Sequence, residues 1–120
     1  MQITKSDKLW QLAVEEQDNQ LGLINLIRYL EKLHDEIASR PTENLIVELD
    51  LSKLRSVNSE LIAQFVNLQS VLVRTDGRLQ LVRVNRDLKS NLDVVMLDKI
   101  VSITYQGQEE GEDFYAAEEE

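Results

Sequence analysis

Residues 45–66 read LIVELDLSKLRSVNSELIAQFV. The opening run, Leu45 to Leu51, is short, carries β-branched Ile46 and Val47, and is mostly apolar on both faces. A strand in the middle of a sheet covered by helices has this composition. Residues 52–60 are polar, and beyond them apolar residues return at helical steps. Ile62, Phe65, Val66, Leu72 and Val73 form the expected buried stripe of a helix. Gln69 interrupts that stripe and, if enclosed, needs a hydrogen-bond partner. Asn58 is a favoured N-cap for this helix, able to accept a backbone N–H from its first turn.

On the N-terminal side, residues 1–4 and 9–14 are two apolar runs separated by Lys5 to Lys8. Trp10, Leu12 and Val14 alternate onto one face, so the pair reads as a hairpin. From Leu21 to Ser39 the period lengthens. Leu23, Leu26, Ile27, Leu30, Leu33, Ile37 and Ala38 recur at three- and four-residue steps, opposite Arg28, Glu31, Lys32, Asp35 and Glu36. That is an amphipathic helix, and Pro41 ends it by disfavouring helical geometry at Arg40.

On the C-terminal side, Asp76-Gly77 is a turn signal. It leads into a strand in which Leu79 and Leu81 alternate with Arg78, Gln80 and Arg83. A third helix is expected over about residues 87–96, with Leu88, Leu92, Val95 and Met96 inward, and a last strand over 100–105. The order β, β, α, β, α, β, α, β implies one small α/β domain over residues 1–105. Its sheet is mixed and mostly parallel, of four or five strands, with helices packed on it. Residues 106–120 remain as an acidic tail or a short frayed helix anchored by Phe114 and Tyr115.

Composition removes several function classes. The chain of 120 residues has no cysteine, which rules out disulfides, thiolate zinc sites and cysteine nucleophiles. No run approaches the ~20 apolar residues of a membrane span, and the first ten residues lack a secretory pattern, so a cytoplasmic protein is expected. The formal charge is −9, yet seven acids lie in residues 109–120 and the rest is near neutral. With no basic stripe, nucleic acid is not an expected partner. His34 is the single histidine and flanks the first helix's apolar stripe, without the further ligands a metal site needs. Glu15, Glu16 and Asp18 form an acidic cluster in a polar turn, where a solvated loop is expected. No glycine-rich phosphate loop occurs. The expectation is a protein that is not an enzyme and has no cofactor or metal.

The quoted stretch resembles the core of STAS domains, the fold of bacterial anti-sigma factor antagonists. Asp50-Leu51-Ser52 stands for the family's Asp-Leu-Ser-like strand end, and Asn58-Ser59-Glu60-Leu61-Ile62 for the Asp-Ser-Ser/Thr-Gly-Leu-like motif that opens the second helix. Residues 92–105, LDVVMLDKIVSITY, resemble its closing helix, Leu-Asp-Lys corner and last strand. The resemblance implies a binding module for an anti-sigma factor or a Ser/Thr-kinase-like regulator, acting in transcription control as a monomer or weak dimer. The family's phosphorylated serine corresponds to Ser59. By the same resemblance the acidic turn after the second strand belongs to the partner surface.

Three positions depart from the motif: Asn58 replaces its Asp, Glu60 its second Ser/Thr, and Leu61 its Gly. The expected partner surface is Asn58, Ser59, Glu60, Leu61, Ala63, Asn67 and Arg74. Read without the family, Asn-Ser-Glu before an apolar helix is also an ordinary helix start. The alternatives to a phospho-switched antagonist are a non-phosphorylated STAS scaffold subunit of a larger complex, which Asn58 and Glu60 favour, and a small-ligand or lipid transport accessory domain. The last requires a sizeable apolar pocket, which short helices do not advertise.

Overall fold

The computed structural model describes residues 1–107. Strand β1 (Gln2–Lys5) turns back into β2 (Leu9–Ala13) as an antiparallel hairpin, with Lys5 opposite Trp10. Helix α1 (Ile24–Ser39), strand β3 (Ile46–Asp50), helix α2 (Ser59–Val73), strand β4 (Arg78–Val84), short helix α3 (Lys89–Val94) and strand β5 (Ser102–Tyr105) follow. The five strands lie in the order β1-β2-β3-β4-β5, and β2 to β5 are parallel. The expectation from residues 106–120 lies outside the described residues beyond Gly107.

Because each parallel strand neighbours the next, every right-handed crossover moves the same way and leaves its helix on the same side. The sheet is therefore covered on one face. Val47, Leu49, Leu79 and Leu81 point into that side and are fully buried, as are Leu26, Leu30, Phe65 and Leu68 from the helices. The intervening Ile46, Glu48 and Asp50 are only half-buried. The expectation that both faces of β3 are covered is thus corrected: its second face is a solvated polar one, bearing Gln11, Glu48 and Asp50. There the Gln11 amide donates to Glu48 at 3.0 Å.

A bulge in β4 shapes that open face. The β4–β5 register slips between Leu81 and Val84, and Arg83 sits at φ 50°. The extra residue turns Arg83 outward, where its Nε donates to Asp50 Oδ2 at 2.8 Å. Burial alone pushes the Asp50 carboxyl up. The Ser52 backbone N–H and the Arg83 guanidinium outweigh that and hold it below its ordinary value.

The helices match their expected spans with differences in facing. In α1 the buried stripe is Leu26, Ile27, Leu30, Leu33 and Ile37, while Ala38 is exposed. In α2 the buried residues are Leu61, Phe65, Leu68, Val71 and Leu72. Ile62 and Val66 are half-buried and Val73 is exposed, so the expected stripe is rotated. Gln69 finds the partner it needs: its side-chain oxygen accepts the Leu79 N–H at 2.9 Å, tying α2 to the start of β4. The third helix is shorter than expected. It stops at Val94, and Met96 at φ 56° breaks the helical path, leaving Val95 and Met96 exposed instead of inward, next to an exposed Val94.

Candidate functional site

Parallel strands carry their helix-opening loops at one end, so the loops after β2, β3 and β4 share one pole of the molecule. The first two are stitched together. Arg55 donates from Nε and Nη2 to Glu16 Oε1 at 2.9 and 2.7 Å. Asn19 donates to the Lys53 carbonyl at 2.9 Å and accepts from the Arg55 N–H at 2.9 Å. The acidic turn is correspondingly ordered. The Glu15 N–H donates to Asp18 at 2.8 Å, the Met1 amino group lies 3.0 Å from Glu15 and 3.2 Å from Asp18, and Asp18 is buried. The expectation of a solvated loop holds for Glu16 and fails for Asp18.

Asn58 is the keystone of the pole. Its Oδ1 accepts the Leu61 N–H at 2.8 Å, which caps α2, and its Nδ2 donates to the Gly22 carbonyl at 3.1 Å. The Gly22 segment is conformationally costly. Leu21, Gly22 and Leu23 all have positive φ, at 54°, 65° and 69°. Such geometry costs a residue other than glycine roughly 1–2 kcal/mol. Leu23 recovers this by entering the core, whereas Leu21 stays 78% exposed.

Asn58→Ala is expected to destabilise the domain by about 0.5–2 kcal/mol, the usual worth of an N-cap. Asn58→Asp keeps the acceptor for Leu61 and loses only the donor to Gly22. It should restore most of the stability in urea unfolding while hydrogen exchange at the Leu23 amide quickens. Equal stability loss in both variants would refute the two-sided role.

Beside this cap lies a groove of about 490 Å³, lined by Val57, Asn58, Ser59 and Ile62 on one wall and Ser90, Asn91, Val94 and Val95 on the other. Its interior is mainly valine and isoleucine, no lining residue carries a charge, and Ser59 stands exposed at its rim. The short helices do not advertise a sizeable apolar pocket, yet this open apolar groove lies between two of them. The groove exists because α3 stops early and turns its two valines toward α2.

The expected surface residues divide into three groups. Asn58 and Ser59 line the groove, and Glu60 is exposed beside them. Ala63, Asn67 and Arg74 are exposed along α2, with Arg74 about 22 Å of helix from Ser59. Leu61 is 0% exposed and packs in the core, so its place on a partner surface is withdrawn. Its bulk faces inward, where the resembled motif has glycine. The second wall, Ser90 to Val95, was missed because nothing local in that stretch says which helix it will face. Among the described residues, no three His, Cys, Asp or Glu side chains converge to hold a metal ion. His34 Nδ1 instead lies 3.3 Å from Asp35 on α1.

No protein-family model and no curated protein sequence matches the chain. Solved structures do. The solution structure of the protein TM1081 superposes with a TM-score of 0.67 at 23% identity, covering 98% of this chain and 85% of that one. The crystal structure of the same protein, a candidate anti-sigma factor antagonist from Thermotoga maritima, gives 0.64 at 20% identity, covering 93% and 92%. A chain of the stressosome, a signal integration and transduction hub, gives 0.60 at 18% identity, covering 99% of this chain and 100% of that one. At such identities the likeness is one of fold alone, and that fold is STAS-like.

Proposed function

We propose that the chain is a protein-binding regulatory module resembling an anti-sigma factor antagonist, and that it seats its partner over the start of α2. The observation that carries this reading is the uncharged, apolar groove directly beside Ser59. A concave apolar patch with a polar rim suits a partner's apolar anchor. The partner class is an anti-sigma factor or a kinase-like regulator, as the resemblance implies. Among the described residues that line the groove, Ser59 and Ser90 are the hydroxyls and none is a base, so the reading rests on binding.

Phosphorylation of Ser59 would switch such a module off without unfolding it. A phosphate adds about −1.5 to −2 charge at pH 7. At the first turn of α2 the helix dipole favours that charge by about 0.3–1 kcal/mol. A partner docked over the groove would instead meet an anion with no cation among the lining residues to pair with. Glu60 supports a second reading, a scaffold subunit that is never phosphorylated, because it already places a carboxylate next to Ser59.

Affinity capture with the wild type and with Ile62→Asp, Val94→Asp, Ser59→Ala and Ser59→Asp tests both readings. Under the antagonist reading, wild type and Ser59→Ala retain the same partner, and the other three lose it. Retention by Ser59→Asp as well as by wild type and Ser59→Ala, with Ile62→Asp and Val94→Asp still losing the partner, selects the scaffold reading. If Ile62→Asp and Val94→Asp both retain every partner, the groove is not the docking surface and the proposal fails.

A further inference from the structure

We infer that the groove is a self-recognition surface: two copies of the chain pair about a two-fold axis, and Leu21 of each enters the groove of the other. The inference concerns what covers the groove before any other protein arrives, and it holds or fails independently of the proposed partner. Three observations carry it.

The first is a knob and a hole side by side on one chain. The Asn58 side chain, which lines the groove, donates to the Gly22 carbonyl at 3.1 Å, so Leu21 emerges next to the groove's rim. Leu21 is 78% exposed and lines no part of its own chain's groove, while Val94 on the groove wall is 82% exposed. A closed two-fold pair needs one patch that fits its own copy, with the first residue meeting the second and the second meeting the first. A protruding leucine beside an apolar groove meets that condition.

The second is the backbone at Leu21. Positive φ is an outlier for a bulky side chain, and Leu21, Gly22 and Leu23 hold it in succession. Burial of Leu23 offsets the cost at one leucine only. Leu21 is held in the same geometry with its side chain mostly in water. Backbone strain of this kind persists where a surface is preorganised for binding.

The third is area. Leu21, Val94, Val95 and Met96 are all exposed. Covering them removes on the order of 300 Å² of apolar surface per copy, at about 100 Å² for a whole side chain. With the ~57% apolar share usual at interfaces, the pair buries about 1,000 Å² in all. That area is the threshold of specific interfaces and the range of transient ones, so the pair is reversible. Charge does not oppose it. No residue lining the groove is charged, the chain before residue 109 is near neutral, and at physiological salt exposed charges are screened within about 8 Å. Such a pair covers Ser59 as well as the groove. Another protein that uses this surface competes with the second copy, and its apparent affinity falls with the fraction of chains still single.

Sedimentation equilibrium of the full-length chain over about 5–500 µM tests this, a span set around micromolar dissociation. The average mass should climb from that of one chain toward that of two. Leu21→Asn removes the knob and keeps the turn, because asparagine accepts the left-handed backbone. It should weaken pairing about tenfold or more while its urea midpoint stays at or above wild type. Val94→Asp should weaken pairing from the groove side, and Val73→Asp, exposed at the other end of α2, should leave it unchanged. In a mixture of isotope-labelled and unlabelled chains, nuclear Overhauser cross-peaks from the Leu21 methyls to the Val94 and Val95 methyls are expected between molecules. A single-chain mass at every concentration overturns the inference, as does a pair that survives either Leu21→Asn or Val94→Asp. A lower urea midpoint for Leu21→Asn also overturns it, assigning that leucine to the fold. None of these outcomes depends on whether another protein binds.

Discussion

Phe65→Ala should lower the stability of this domain by about 3–5 kcal/mol, the range for removing a large aromatic from a packed interior. Phe65 heads the fully buried side chains by volume and is 0% exposed. It belongs to the core face of α2, so its truncation removes buried volume from a packed interior. Small domains hold only about 5–15 kcal/mol in all, so the variant should melt far below wild type or fail to fold at ambient temperature. Val73→Ala is the matched control. Val73 is 55% exposed at the end of the same helix, and its truncation should stay within about 0.5 kcal/mol. Urea midpoints decide between the two facings of α2. Comparable losses at Val73 and Phe65 would mean that the stripe including Val73 is the buried one.

The second large effect is at Gly77, where the sign is informative. Its φ is not in the positive region, so replacing it with alanine costs no left-handed strain. On chain entropy alone Gly77→Ala should therefore stabilise by about 0.4–1 kcal/mol. The structure predicts the opposite. A Cβ at this position collides with the backbone carbonyl of Leu45, the same oxygen that accepts the Arg78 N–H at 3.0 Å and begins the β3–β4 pairing. The neighbour is backbone between two central strands and cannot swing aside. Overpacking typically costs about 1–3 kcal/mol, which exceeds the entropic gain. Thermal unfolding of Gly77→Ala should show a loss of stability. A variant as stable as wild type would refute the close approach.

The elements with one clear apolar face were legible from sequence. The three- and four-step spacing from Leu26 to Ile37 predicts α1, and the alternation of Leu79 and Leu81 predicts β4. Asn58 was readable as a cap because a cap is a local device, with acceptor and donor three residues apart.

The sequence pattern of α2 predicts a rotated stripe for a definite reason. Leu61, Ile62, Phe65, Val66, Leu68, Val71, Leu72 and Val73 put apolar groups around most of its circumference, so periodicity does not choose a face. Only packing on the sheet and α1 does. The Val94-Val95-Met96 run misled in the same way, because the left-handed residue that ends the helical path sits inside an ordinary apolar stretch. The groove itself belongs to no segment. It is made by two helices with fifteen residues between them, and the Asn58–Gly22 bond spans 36. Contacts of that kind leave no trace in local pattern. The motif resemblance points to Ser59 and its cap as partner surface, and it covers Val94 and Val95 only as part of the closing helix.

With β2 to β5 running one way, the two poles of the molecule have separate duties. The pole at Thr42 to Asn44 and Thr75 to Gly77 holds turns that fasten the sheet, including the Asn44 N–H to Thr75 carbonyl bond at 2.8 Å. Everything near Ser59 lies a strand away, about 17 Å for five residues. Because the chain has no cysteine of its own, Glu43→Cys would introduce a single thiol at that far pole, on an exposed residue. A dye or a surface linker attached there would hold the protein by its back and leave the groove unobstructed.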